Sequence, residues 1–273
     1  MNYFFIIPVF NAGAKIFRTI ESVLSQTSIR SGDDTVECLI VDGASNDDTL
    51  HYVDAFKDQR ISTISEKDAG MYDALAKGIS RASGDITCYL PAGETYDENA
   101  FSIVSGVFNK FPEVNWLTGQ AVLRNAERQI VNTRLPHPYR RRFITCGMYG
   151  TRLYGIEQES TFWRSDVNDC VDLEKLSSCQ LAGDYFLWKS MASKHDLFVV
   201  DAQLGSFTIE TGQLSKVQPG AYRKELRQLR RNPTWLERIE ALLYRQYEKR
   251  AVPRYARNTV TFDHNKEDWK LWR

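Results

Sequence analysis

The first ninety residues alternate short apolar runs with amphipathic segments, and this alternation predicts strands separated by helices. Apolar side chains recur at helical spacing in residues 14–25 and again around Val53 and Leu75. The apolar runs that predict strands are residues 4–10, 36–41, 61–65 and 86–90. Because strands separated by helices of this length are typical of βαβ crossovers, the sequence predicts an α/β fold with a largely parallel sheet.

The periodic pattern weakens beyond residue 112. It predicts further strands at residues 114–122, 129–132, 197–200 and 205–209, a basic loop at 136–142 and a helix at 181–192. After Pro219 the pattern is helical and basic. We therefore expect one α/β domain over residues 1–215 and a basic, mainly helical extension over residues 216–273.

The composition is that of an ordinary globular chain, with 42% apolar and 26% charged residues among 273. The five cysteines are widely spaced without a C-x-x-C pair, so we expect reduced thiols of a cytoplasmic protein. No run approaches the ~20 apolar residues that span a bilayer. The apolar run near residue 4 is interpreted as a buried strand rather than a signal sequence.

The net charge of zero hides an asymmetry, because residues 216–257 contain twelve Lys or Arg against four Glu. One helical face in this region is apolar, and it comprises Trp235, Leu236, Ile239, Leu242 and Leu243. The remainder of that helix carries Arg238, Arg245, Lys249 and Arg250. Two alternatives are open: the helix packs on the α/β domain with a solvated basic side, or residues 219–257 contact an anionic membrane from its inner face. The sequence does not indicate a nucleic-acid partner.

Polar side chains follow four of the predicted strands. They are Asn11, Asp42, Asp68 and Glu94. Ligands of parallel sheets bind beyond the carboxyl ends of the strands, so these side chains mark a candidate binding site. Three of the four are acidic, and a cluster of carboxylates needs a cation or hydrogen-bond donors nearby.

Several motifs, in the expected order, resemble those of the family 2 glycosyltransferases. They are IPVFN (7–11), SVLSQT (22–27), LIVDGASNDDT (39–49), SEKDAGMYDA (65–74), KGI (77–79) and SGDI (83–86). The resemblance covers roughly residues 1–215. It implies a GT-A fold with a mixed, mostly parallel sheet, a nucleotide-diphosphate sugar donor such as a UDP-sugar, a divalent cation and inversion at the anomeric carbon.

The same resemblance assigns donor-binding roles. It places Asp42 and Asp68 at the nucleoside, and the matched motifs add Pro8, Asn11, Asp73 and Lys77 to the donor-binding set. A carboxylate at the end of a strand can accept hydrogen bonds from a base or a ribose hydroxyl. The alternative for Asp42 and Asp68 is that each caps a turn, a common role for Asp.

Glu94 is the metal candidate. It ends the segment LPAGE (90–94), where the family usually has two aspartates or Gly-Asp. Its carboxylate suits Mg²⁺ or Mn²⁺, and the diphosphate and water can complete an octahedron. The alternative is that Glu94 begins a helix, where acidic residues are favoured. A further departure is Glu157-Gln158, where related sequences often have His-Gln.

Asp184 is the candidate base, in the segment LAGDYFLW (181–188). Gly183 replaces the first acid of the family's pair, which leaves Asp184 as the only carboxylate of the motif. A hydroxyl acceptor needs a base to take its proton, and a cation stabilises the departing diphosphate. The alternative for Asp184 is a helix N-cap.

These residues together predict an inverting glycosyltransferase that moves a sugar to a hydroxyl of a saccharide or lipid-linked saccharide acceptor in surface polysaccharide or glycan synthesis. The alternative is a catalytically weak nucleotide-sugar-binding module of a polysaccharide-assembly complex, because the paired aspartates and the usual histidine are missing. A nucleotidyltransferase is less favoured, since no glycine-rich basic phosphate loop follows the first strand.

Overall fold

A computed structural model describes residues 1–209, 219–250 and 256–273. Its strands are β1 Asn2–Val9, β2 Thr35–Asp42, β3 Ile61–Ser65, β4 Ile86–Tyr89, β5 Thr95–Tyr96, β6 Trp116–Thr118, β7 Ala121–Arg124, β8 Ile130–Arg134, β9 Thr161–Arg164, β10 Leu197–Val200, β11 Gly205–Thr208, β12 Thr259–Asp263 and β13 Asp268–Trp272. Its α-helices are α1 Lys15–Leu24, α2 Thr27–Ser31, α3 Thr49–Asp54, α4 Met71–Ile79, α5 Ala100–Lys110, α6 Arg141–Thr145, α7 Leu173–Ser177, α8 Gly183–Ala192, α9 Pro219–Leu229 and α10 Trp235–Glu248. Short 3-10 helices occupy Gln158–Ser160 and Ser165–Cys170.

The central sheet has nine strands in the order β13-β12-β10-β6-β9-β4-β1-β2-β3. All of them run parallel except β9 and β13, which pair antiparallel with their neighbours. A smaller sheet has the order β5-β11-β7-β8. The prediction of an α/β fold with a mixed, mostly parallel sheet is therefore confirmed.

The core lies on both faces of the central sheet, and β1 shows how the sequence builds it. Tyr3, Phe5 and Ile7 belong to one buried apolar cluster, whereas Phe4 and Ile6 belong to the other. Successive side chains of a strand point to opposite faces, so a strand covered on both sides is apolar at nearly every position. This arrangement explains why the first strand is a continuous apolar run.

Two expectations for the second half of the chain are corrected. Residues 114–122 were expected to form one strand, but β6 belongs to the central sheet and β7 to the smaller one. Gly119 lies at the turn between them, and a Cβ there would be 2.7 Å from the carbonyl oxygen of Ala202. The basic loop expected at 136–142 ends where α6 begins, at Arg141.

The C-terminal region is helical in α9 and α10, as expected, but it ends in a β-hairpin that the sequence pattern did not predict. Strand β12 pairs in parallel with β10, and β13 pairs antiparallel with β12. The hairpin therefore extends the central sheet instead of standing apart from it. The expected division between residues 215 and 216 lies outside the described residues, and it stays a prediction.

Helix α10 packs against the rest of the protein, but the face that it buries is not its most apolar face. Ala241, Tyr244 and Glu248 are its buried residues. If α10 packed on the α/β domain as one alternative expected, its apolar side chains would be buried. They are exposed instead, and this alternative is therefore wrong about which face of α10 packs. Among the described helices, none is both long and apolar enough to cross a membrane.

Candidate active site

Two of the residues singled out in the sequence, Glu94 and Asp184, line the same cavity of about 630 Å³, called the larger cavity below. Its walls come from the loop before β5, from the segment around Gln158–Ser160, from β7 and β11, and from the starts of α1, α4 and α8. Tyr222 of α9 also lines it. The fold thus brings together side chains that are ninety residues apart in sequence.

The carboxylate of Glu94 is buried against the smaller sheet. It accepts a hydrogen bond of 2.9 Å from the backbone N–H of Thr208, and the Glu94 carbonyl accepts one of 2.8 Å from the hydroxyl of Thr19. Gly93 has φ of +109°, a conformation that favours glycine, and its N–H donates to the same Thr19 hydroxyl at 2.8 Å. Glu94 directly precedes β5, so the alternative that it begins a helix is wrong.

Glu157 and Glu159 bring two further carboxyl groups to the larger cavity. Burial raises the pKa of Glu159 well above its usual value, and the carboxylates of Glu94 and Glu157 raise it further. Burial also raises the pKa of Glu157, whereas Arg134, 3.6 Å away, lowers it. Carboxylates that repel one another in this way favour a bound cation.

The protein oxygens at this site can hold a hard cation only when a bound ligand supplies the remaining coordinating atoms. Within residues 1–209, 219–250 and 256–273, no three His, Cys, Asp or Glu side chains form a group that could hold a metal ion. Glu94 would supply one carboxylate oxygen, and Mg²⁺ or Mn²⁺ accepts phosphate oxygens and water as its other ligands. Lys15 lines the same cavity and adds a positive charge.

Asp184 lies in the first turn of α8. The N-cap position belongs to Ala182, so the alternative that Asp184 is the N-cap is wrong. Removal from water raises the pKa of Asp184 to about 6, although the backbone N–H of Tyr185 and the hydroxyl of Tyr222 lower it. A carboxylate with a pKa near 6 is ionised at neutral pH and accepts a proton more readily than an ordinary Asp.

Steric contact with Tyr72 explains why position 183 is a glycine instead of an acidic residue. A Cβ at Gly183 would lie 2.3 Å from the ring of Tyr72, which packs directly against the start of α8. The Tyr72 hydroxyl donates to the carbonyl of Leu181 at 3.3 Å. An acidic side chain at position 183 is therefore incompatible with Tyr72 in this place, and Asp184 remains the carboxylate of the motif.

A second cavity of about 350 Å³, called the smaller cavity below, adjoins the first. Ile156, Asp184 and Tyr222 line both cavities. The other residues of the smaller cavity include Tyr149, Tyr185, Trp188 and Arg223. Asp184 therefore borders both spaces, a position that suits a base that takes a proton from one substrate while that substrate attacks another.

Asp42 ends β2 in a fully buried position. The backbone N–H of Ser45 donates to its two carboxylate oxygens at 3.2 and 3.1 Å, and the hydroxyl of Ser65 donates at 2.7 Å. These contacts tie the end of β2 to the end of β3 and agree with the turn-capping alternative. The nucleoside role of Asp42 stays a prediction.

Asp68 lies close to Gly43 and accepts a hydrogen bond of 3.0 Å from the N–H of Gly70. A Cβ at Gly43 would be 2.8 Å from an Asp68 carboxylate oxygen, so a larger residue at position 43 would displace this carboxylate. Burial raises the pKa of Asp68, and the carboxylates of Asp73 and Asp42 add to the rise. This carboxylate is only partly buried, and its donor role also stays a prediction.

The remaining donor candidates surround this cluster. Lys77 pairs with Glu66 at 2.9 Å and with Asp73 at 3.4 Å. Asn11 has φ of +49°, and its side-chain oxygen accepts a hydrogen bond of 2.9 Å from Asn46. Pro8 is buried in β1, beyond the last residue that pairs with β4. The six donor candidates lie outside the lining of the larger cavity.

Sequence reasoning missed Tyr222, Tyr72 and Glu159 as residues of the site. Tyr222 belongs to the C-terminal region, which carries no motif, and only the tertiary structure places it beside Asp184. Tyr72 lies inside the motif at residues 65–74, and Glu159 directly follows the Glu157-Gln158 pair. Their burial beside the larger cavity is not visible in a local pattern.

Comparison with known proteins agrees with this architecture. The profile of the family described as Glycosyl transferase family 2 matches residues 4–148, more than half of the chain. A Mycobacterium bovis protein named PGL/p-HBAD biosynthesis glycosyltransferase is 27% identical over 124 residues, which are 44% of this chain and 46% of the relative. The matched part is thus less than half of that relative's length.

Two solved structures show the same fold. Staphylococcus aureus TarS 1–349 in complex with UDP-GlcNAc has a TM-score of 0.59 at 14% identity, over 84% of this chain and 65% of that chain. The mannosyltransferase PcManGT from Pyrobaculum calidifontis, in complex with GDP-Man and Mn²⁺, has a TM-score of 0.56 at 15% identity, over 89% of this chain and 69% of that chain. The fold is therefore that of the GT-A glycosyltransferases. The chain belongs to glycosyl transferase family 2.

Proposed function

We propose that this chain is an inverting glycosyltransferase that uses a nucleotide-diphosphate sugar, in the first instance a UDP-sugar, and a hydroxyl acceptor. The observation that carries the proposal is the position of Asp184, on the wall between two adjoining cavities, with a pKa raised to about 6. In this account Asp184 takes the proton of the acceptor hydroxyl while that oxygen attacks the anomeric carbon. Inversion follows from a single displacement, because the oxygen attacks opposite the departing diphosphate.

The larger cavity suits the diphosphate side of the reaction. Glu94 would hold a Mn²⁺ or Mg²⁺ ion that stabilises the negative charge of the departing diphosphate when bound. Lys15 lines the same cavity and offers a second positive charge. The Mn²⁺ of the PcManGT complex gives a precedent for a cation in this fold.

The donor base is proposed by analogy with the TarS complexes, which contain UDP and UDP-GlcNAc. GDP-Man in PcManGT makes guanosine the alternative. The acceptor is proposed to be a saccharide or a lipid-linked saccharide, in the synthesis of a surface polysaccharide or glycan. The smaller cavity offers the aromatic rings of Tyr149, Tyr185 and Trp188 for packing against such an acceptor.

A donor panel tests this proposal. The protein is incubated with UDP- and GDP-sugars, with Mn²⁺ or with EDTA, and release of the nucleoside diphosphate is measured. We expect metal-dependent release from at least one donor. Binding of a nucleotide sugar without turnover, with or without added acceptor saccharides, would instead support the alternative of a catalytically weak binding module of a polysaccharide-assembly complex.

A further inference from the structure

Helix α10 presents its most apolar face to solvent. Trp235 and Leu243 are each 69% exposed, Leu236 is 59% exposed, Leu242 52% and Ile239 49%. At 100° per residue these five side chains fall within one half of the helix circumference. Globular chains rarely leave so many large apolar side chains exposed on one helix face, and such a patch marks an interaction site.

Polar contacts hold the helix in this orientation. The Tyr244 hydroxyl donates to the carbonyl of Pro138 at 2.7 Å, and the buried carboxylate of Glu248 accepts from the N–H of Tyr154 at 3.3 Å. Glu240 pairs with Arg140 at 2.6 Å. If α10 rotated to bury its apolar face, these contacts would be lost. The exposure of the apolar face is therefore part of the folded arrangement.

The start of the helix is fixed as well. Thr234 and Glu237 form a capping box, in which the Thr234 hydroxyl accepts from the backbone of Glu237 and the Glu237 carboxylate accepts from the backbone of Thr234. Glu237 also pairs with Arg231. The capping box defines where the helix begins, so Trp235 stands on its first turn.

In α9 and α10 the acidic side chains contact the rest of the protein, whereas several basic side chains are exposed to solvent. All four acidic side chains of residues 219–250 have partners within the protein, and these acids are Glu225, Glu237, Glu240 and Glu248. Arg238, Arg245 and Lys249 are exposed and share one edge of the apolar face, since they are spaced by seven and four residues. The exposed side of α10 is thus apolar with a positive border.

We propose that this face of α10 binds the surface of a membrane that contains anionic phospholipids. The apolar side chains enter the boundary between headgroups and acyl chains, and Arg238, Arg245 and Lys249 contact the phosphate layer. Charge complementarity selects this occupant over a second copy of the chain, because the acidic side chains of residues 219–250 already have partners within the protein, whereas anionic headgroups supply negative charge along the whole border. The proposal rests on α10 and not on the catalytic pocket, so it is independent of the proposed function.

Vesicle co-sedimentation of the full chain tests the proposal. We expect binding to vesicles of phosphatidylcholine with phosphatidylglycerol, weak binding to phosphatidylcholine alone, and release by salt. Each Lys or Arg near an anionic surface strengthens binding by about fivefold. The triple variant Arg238→Gln/Arg245→Gln/Lys249→Gln is therefore expected to lower the partition coefficient by about 100-fold. Its matched control, Arg30→Gln/Lys57→Gln/Lys266→Gln, removes the same charge from exposed residues elsewhere.

A second pair of variants tests the apolar part. Leu236→Ser/Leu243→Ser is expected to weaken binding at least about 10-fold, because two leucine side chains are no longer transferred from water into the membrane. The control Ile130→Ser/Val131→Ser removes exposed apolar side chains from β8, where they are 46% and 55% exposed, and binding is expected to persist. Release of nucleoside diphosphate in the absence of lipid should be the same in these variants.

Three results would overturn the proposal. The first is equal sedimentation of the wild type and the α10 variants. The second is binding to phosphatidylcholine as strong as binding to the anionic vesicles. The third is a dimer, measured by light scattering without lipid, that the Leu236→Ser/Leu243→Ser variant loses, because that result would assign the face to a second copy of the chain.

Discussion

The hydroxyl of Tyr222 lies 3.2 Å from each of the two carboxylate oxygens of Asp184. Tyr222 belongs to α9, and Glu225 on the same helix accepts hydrogen bonds from the backbone N–H groups of Gln180 and Leu181, both at 2.7 Å. Helix α9 is thus attached to the segment that leads into Asp184. The C-terminal region, which lies outside the stretch matched by the family profile, therefore helps to build the candidate active site.

The pH dependence of turnover should report the ionisation of Asp184. Burial raises the pKa of this carboxyl to about 6, so the group becomes protonated, and is lost as a base, as the pH falls through about 6. We expect kcat/KM, which reports the ionisation of groups in the free enzyme, to be constant at neutral pH and to fall tenfold per pH unit well below the midpoint. The rate is measured in stopped assays in buffers of constant ionic strength. The assays cover roughly pH 4.5–8, a range that brackets this pKa. A flat profile would argue against Asp184 as the base.

Removal of the Tyr222 hydroxyl should move that midpoint upward. The hydroxyl donates to the charged carboxylate and lowers the pKa of Asp184, so Tyr222→Phe is expected to raise the pKa. The measurement is the pH profile of kcat/KM, together with KM for the donor, which should change little. Tyr244→Phe is the matched control, because its hydroxyl donates to Pro138 and has no contact with Asp184. An unchanged midpoint in Tyr222→Phe would mean that Tyr222 has only a structural role.

The proposed metal site should depend on Glu94. Transfer is expected to stop in EDTA and to return with Mn²⁺ or Mg²⁺, and Glu94→Gln should raise the metal concentration needed for half-maximal rate. Glu94→Asp is expected to retain part of the activity, because it keeps the carboxylate. Glu21→Gln on the exposed side of α1 is the control. Full activity in EDTA would point instead to positively charged side chains such as Lys15 at the diphosphate.

A methyl group at position 183 should destabilise the fold. The Cβ would be 2.3 Å from the Tyr72 ring, so Gly183→Ala is expected to lower the free energy of unfolding by ~1–3 kcal/mol. Urea unfolding followed by tryptophan fluorescence measures this change. Gly220→Ala is the control, because a Cβ there meets no atom of the described residues within 4 Å and alanine favours a helix. Equal stability of the two variants would show that Tyr72 moves aside without cost.

Local periodicity was enough to predict the first part of the fold. The strands β1 to β4 and the helices α1, α3 and α4 fall where alternation of apolar and polar residues placed them. The interruption of residues 114–122 and the C-terminal hairpin were missed, because the partners of these strands are distant in sequence. Likewise, the sequence identified the apolar face of α10 but not its exposure, which depends on contacts such as Tyr244 with Pro138.

The candidate site divides in the same way. Motifs selected Glu94 and Asp184, and the fold brings both to one cavity. Tyr222 could not be found from its neighbours in sequence, since its role comes only from a contact across the fold. The donor candidates Asp42 and Asp68 lie near one another beyond the ends of β2 and β3, because the carboxyl ends of parallel strands meet at one edge of the sheet. Their side chains hold turns, and their contact with a nucleoside stays a prediction.

Asp184 is proposed to be the catalytic base of an inverting transfer, and the variant Asp184→Asn removes that base. Asparagine keeps the size of the side chain but cannot accept the proton, so transfer should fall by at least ~10²-fold while donor affinity, measured by calorimetry, stays nearly unchanged. Asp169→Asn, which changes an exposed carboxylate elsewhere, is expected to transfer normally. A single displacement assisted by Asp184 also predicts that the wild-type product has the inverted anomeric configuration, which NMR measures. Near-normal turnover of Asp184→Asn would contradict it.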